Sequence, residues 1–143
     1  MKAFLVLGAF ISAMWGTTWA QGTRPSNLAE LAKYTGSDRE QLFYEGAKKE
    51  GKLVWYTSLV PHKEIAKTFE AKYPGVSVEI YRADGTDLAR RLLAERQAKR
   101  YIADAIETTP PSLMQLRDGN ALLPYLSPDL ATYPEIAKER ASA

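Results

Sequence analysis

The sequence predicts an α/β fold in which βαβ units lay strands side by side in a parallel sheet. Three observations predict it. Short strand-like runs at Leu53 to Thr57, Val76 to Tyr81 and Asp104 to Glu107 alternate with segments whose apolar residues recur at helical spacing. Each strand run is followed by a loop and then a helix, the connection that parallel neighbours require. The first run is almost continuously apolar, as a strand covered on both faces of a parallel sheet should be.

The elements follow in order. Ser26 or Asn27 can cap a helix over Leu28 to Lys33, and Ser37 or Asp38 one over Arg39 to Lys49, which Gly51 stops. After the first strand, Ile65, Ala66, Phe69 and Tyr73 recur at helical spacing until Pro74-Gly75 ends the run. In the second strand Val76, Val78 and Ile80 alternate with Ser77, Glu79 and Tyr81, and the loop Arg82 to Thr86 leads to another helix. There Leu88, Leu92 and Leu93 share one side, and Arg90, Arg91, Glu95 and Lys99 are predicted to stay wet. Pro110-Pro111 can open a helix over Ser112 to Asp118 because proline fits a first turn, and Gly119 closes it. Leu122-Leu123-Pro124 reads as extended, and Tyr133 to Ala141 as the start of one more helix.

Composition excludes several functions. With 143 residues, 45% of them hydrophobic and 25% charged, the chain has room for one ordinary globular domain at most. Its net charge is +2, with basic residues scattered singly or in pairs, so the concentrated basic face that binds nucleic acid is missing. It has no cysteine and a single histidine, which removes disulfides, thiolate chemistry and multi-histidine metal sites. Lys2 followed by the apolar run Ala3 to Trp15 and the small residues up to Ala20 has the layout of a secretory signal peptide. The run is too short to cross a bilayer. The expected division is therefore 1–20 signal peptide, 21–51 helical lead-in and 52–143 α/β unit, with a periplasmic destination.

In an open parallel sheet, ligands sit beyond the carboxyl ends of the strands, where helix N-termini leave backbone N–H groups free. The loops there offer Thr57-Ser58 after the first strand, Gly85-Thr86 after the second and Thr108-Thr109 after the third. These six are the candidate ligand-binding residues. Any one of them also has the plain reading of a helix cap, and Asp84 and Asp87 crowd the second loop against a highly charged anion. His62 stands alone and reads as a surface residue rather than a base. Asp104 and Glu107 are three apart in a strand, which places them on opposite faces and rules out a carboxylate pair. Most of Trp55, Tyr56, Phe69, Tyr73 and Tyr81 read as packing. There is no GxSxG elbow, Walker A loop or GxGxxG loop, so no catalytic residue is assigned and no enzyme is expected.

The run Glu45-Gly46-Ala47-Lys48-Lys49-Glu50-Gly51, then Leu53 to Ser58, then Phe69-Glu70-Ala71-Lys72-Tyr73-Pro74-Gly75-Val76, resembles the extracellular solute-binding proteins of bacterial ABC importers, especially the ferric-iron-binding-protein-like group. Arg82 to Leu88, Ala103-Asp104 and Gly119 to Tyr125 continue the resemblance. It implies two α/β lobes with a small molecule or ion clamped between them, a permease in the membrane as partner, and a monomeric parent. On that footing the chain is part of the first lobe of a type II periplasmic-binding fold, and reads as a truncated product or fragment that is marginally stable or self-associating. Iron-binding relatives use a histidine after the first strand, a glutamate after the third and two adjacent tyrosines from the second lobe. Here His62 stands about two positions late, Thr109 takes the glutamate position with Glu107 two residues early, and no adjacent tyrosine pair exists. No metal and no cofactor are therefore assigned, and phosphonates, thiamine, sugars and other small solutes are the other ligands the resemblance implies. The same order of elements would serve a small exported flavodoxin-like enzyme or an interaction module without a small ligand.

Overall fold

A computed structural model describes residues 25–134. The signal-peptide segment 1–20 and all of the expected last helix but Tyr133 and Pro134 lie outside the described residues. Helix α1 (Leu28–Lys33) is capped by Asn27, whose side chain accepts from the Glu30 N–H. Helix α2 (Arg39–Glu50) ends at Gly51, which takes the left-handed conformation at φ 76°, where a side chain is disfavoured. Strand β1 (Lys52–Thr57), helix α3 (His62–Lys72) and strand β2 (Ser77–Arg82) make the first βαβ unit. Helix α4 (Gly85–Gln97) returns the chain to strand β3 (Ala105–Glu107), and helix α5 (Pro110–Asp118) follows.

The sheet is parallel and ordered β2-β1-β3, so the fold is the mixed α/β architecture that the alternation of strands and helices predicts. β1 is central. The two crossovers travel in opposite directions across it, and right-handed connection therefore sets α3 and α4 on opposite faces. Tyr56 reaches α4, where its hydroxyl donates to Glu95 at 2.8 Å. Helix α5 packs beside α4, and at Gly119 a β-carbon would stand 2.4 Å from Leu93 Cδ2, so a larger residue there would require the Leu93 side chain to move.

The core is small. Ala32, Tyr56, Ala66, Val76, Leu88, Ala89 and Leu116 are its buried apolar residues, and most of β1 is half-buried rather than covered on both faces.

Three sequence expectations need correction. Glu95 is largely covered and Arg91 only partly wet: the Arg91 guanidinium lies 4.0 Å from the Tyr81 ring centroid, and its Nε donates to Glu95 at 2.8 Å and to the Tyr56 hydroxyl at 3.0 Å. A helical wheel sorts by residue type and misses an arginine whose planar cation prefers an aromatic face. Helix α4 also starts earlier than expected, because the Asp84 carboxylate accepts the Asp87 N–H and caps it, drawing Gly85 and Thr86 into its first turn. A 3-10 segment at Pro128–Thr132, capped by Ser127, was not foreseen; it ends at Tyr133, which is extended rather than helical.

Candidate functional site

The carboxyl edge of the sheet is where the candidate residues gather, and alternation along each strand divides them between its two faces. Directly registered neighbours share a face. Arg82, Thr57 and Glu107 are such neighbours across β2, β1 and β3, in that order. They lie on the face away from α4, beneath the start of α3.

Glu107 organises this row. Its Oε2 accepts the Thr57 hydroxyl at 2.7 Å, the Ser58 N–H at 3.2 Å and the Ser58 hydroxyl at 3.3 Å. Thr57, fully buried, accepts the Leu59 N–H at 3.1 Å on the same oxygen that donates to Glu107. The loop after β1 is thereby tied to the end of β3. The other carboxylate oxygen has only a long contact to Ser58 Oγ at 3.4 Å. Toward β2, the Leu59 carbonyl accepts Arg82 Nε at 3.1 Å and lies 2.9 Å from His62 Nδ1. With Nδ1 donating, the neutral imidazole presents Nε2 as an acceptor.

The second group lies on the α4 face. Gly85, at the first position of α4, fits against three hydroxyls: a β-carbon there would stand 2.7 Å from Thr108 Oγ1, 2.8 Å from Ser112 Oγ and 2.9 Å from Thr109 Oγ1. Thr108 Oγ1 is sealed beneath it, without a hydrogen-bond partner. Thr109 donates to Ser112 at 3.3 Å, while Thr86 is exposed. This group brings the starts of α4 and α5 together, with Thr108 buried, Gly85 half-buried and Thr109 exposed. Thr57, Ser58 and the neighbouring Glu107 are thus brought together, and Gly85, Thr108 and Thr109 form a separate set behind them.

Glu107 is the residue that sequence reasoning passed over as a site member. The sequence offers it as a partner of Asp104 or as a displaced iron-binding glutamate, and Asp104 stays apart from it: that residue precedes β3, and its carboxylate accepts the Val54 N–H at 2.8 Å. A carboxylate at the carboxyl end of a predicted strand, facing a Thr-Ser pair at the end of its neighbour, was the available signal.

Of the three helix N-termini at this edge, one is already occupied and one has lost donors. The Asp84 carboxylate sits on α4, and the Asp87 N–H is the chief cause holding it below its ordinary pKa of 3.8. In α5 the first two positions are Pro110 and Pro111, which have no N–H to offer. Helix α3, opened by Pro61 without a side-chain cap, keeps all its first-turn donors without a side-chain acceptor, with Glu64 in the same turn. Among the described residues, no group of three His, Cys, Asp or Glu side chains could hold a metal ion. No described helix is long and apolar enough to cross a membrane.

Compared with known proteins, the chain matches no protein-family model and no curated protein.

Proposed function

We propose that this chain forms one wall of a solute-binding cleft and serves as the periplasmic capture component of an ABC import system rather than as an enzyme. The observation that carries the reading is the bridge from Glu107 to Thr57 and Ser58. In a sheet ordered β2-β1-β3 the chain leaves β1 toward β2 and then crosses back past β1 to β3, which makes the boundary between β1 and β3 a topological switch point. Open parallel sheets hold ligands at such switch points, and a bridge that gathers a carboxylate, hydroxyls and a backbone N–H at this edge supports the reading. The sequence resemblance to ABC solute-binding proteins supports the import role, and the export-like segment 1–20 supports the compartment.

Native mass spectrometry of the chain with a panel of small solutes tests the reading. An adduct recovered chemically unchanged, and lost in Glu107→Ala, is the expected result. Conversion of the solute would favour the enzyme reading, and absence of any adduct would contradict capture.

A further inference from the structure

The wall proposed above has a polarity that selects among ligands. Arg82, Thr57 and Glu107 stand shoulder to shoulder on three adjacent strands, so a cation and a carboxylate flank one buried hydroxyl on the same face. Strands are spaced by about 4.8 Å, which puts the two charged backbones on the order of 10 Å apart before their side chains lean in. Arg82 uses Nε on the Leu59 carbonyl, and among the described residues its guanidinium enters no ion pair. Glu107 uses Oε2 on Thr57 and Ser58 and leaves Oε1 nearly unengaged. Each charge therefore keeps hydrogen-bonding capacity beyond these contacts.

The donors and acceptors around this row reinforce its two ends. On the Arg82 side lies the start of α3, whose uncapped backbone N–H groups carry partial positive charge beside the Glu64 carboxylate of the same turn. On the Glu107 side the start of α5 has lost two N–H donors to Pro110 and Pro111. The start of α4 is neutralised by Asp84, and Asp87 is paired with Arg90 at 2.6 Å. A simple oxyanion would meet Glu107 without a compensating cation next to it. A metal ion would find one available carboxylate oxygen, too few for a hard cation.

Resting on the solute-capture reading, we infer that the ligand is a small zwitterion whose ammonium group binds Glu107 Oε1 and whose anionic group is held by Arg82 and the first turn of α3. The two ends of the ligand then match the two ends of the row, and the hydroxyls of Thr57 and Ser58 hold Glu107 in place between them.

The test is isothermal titration of the full chain with ω-amino acids from glycine to 6-aminohexanoate, beside the matching alkylamines, alkylcarboxylates, inorganic phosphate and ferric citrate. Saturable binding of one chain length is expected, at least tenfold tighter than either singly charged analogue. Glu107→Gln should weaken the amino acid at least tenfold while leaving the alkylcarboxylate unchanged, and Arg82→Gln should do the reverse with the alkylamine unchanged. Saturable binding of phosphate, ferric citrate or a singly charged analogue in preference to every amino acid overturns the zwitterion and leaves solute capture standing. Saturable binding of none of the probes by chain whose circular dichroism shows it folded overturns the zwitterion assignment, and the broader solute panel in the mass measurement then decides capture separately.

Discussion

At the scale of single residues, the carboxyl edge is governed by close fits. Gly85 has no room for a methyl group, because Thr108, Thr109 and Ser112 all place hydroxyls within 2.9 Å of where it would sit. Two of those neighbours sit on the first turn of α5 and its cap and are bonded to each other, so turning them aside breaks the Thr109–Ser112 hydrogen bond. Gly85→Ala should lower stability by about 1–3 kcal/mol, as overpacking does, and a urea melt with an unchanged slope would show it. Asp84 gives a second prediction, readable in pH. Its folded-state pKa lies below the ordinary value of 3.8, chiefly through the Asp87 N–H, so it contributes stability above that value and loses it as pH falls through the lowered one. Asp84→Asn keeps the cap without the charge. Thermal melts should therefore separate the two proteins by a constant gap at about pH 5–8, which starts to close only near 3.8 and vanishes below the lowered value. A gap that persisted unchanged into acid would contradict this account of the cap.

At the scale of elements, each helix holds the sheet through very few buried positions. In α4 these are Leu88 and Ala89, both fully buried, and in α5 Leu116. Leu88→Ala should cost about 2–5 kcal/mol, with a shifted urea midpoint as the readout. A change below about 1 kcal/mol would mean that α4 is not packed as described. Element order and most boundaries were legible in the sequence, because capping residues, Pro74-Gly75 and Gly119 mark them locally. What was not legible depends on register between strands. Nothing in the sequence places Glu107 opposite Thr57, or turns Thr108 away from Thr57 onto the other face, since each belongs to a strand whose partner is about fifty residues distant. The six candidate residues were found as loops and not as a geometry. Only Thr57 and Ser58 of the six join Glu107.

At the scale of the whole molecule, a small core is set against much exposed apolar surface. Tyr101, Leu123 and Tyr125 are exposed by 77%, 51% and 56%, and the outer edge of β2 is blunted only where Glu70 accepts the Val78 N–H at 2.8 Å. Exposed apolar surface of this kind favours association. Sedimentation velocity on residues 21–143 should show a weight-average coefficient that rises with concentration; a constant monomer value over a hundredfold range would contradict it. The central claim, however, concerns the switch point of the sheet. Backbone amide shifts recorded by two-dimensional NMR during titration with small solutes test it most directly. The account predicts saturating shifts centred on Ser58, Arg82 and Glu107, weakened in Glu107→Gln. Shifts centred instead on Tyr44 and Tyr73, in the surface hollow at the far end of α3, or no saturating shift at all, would contradict it.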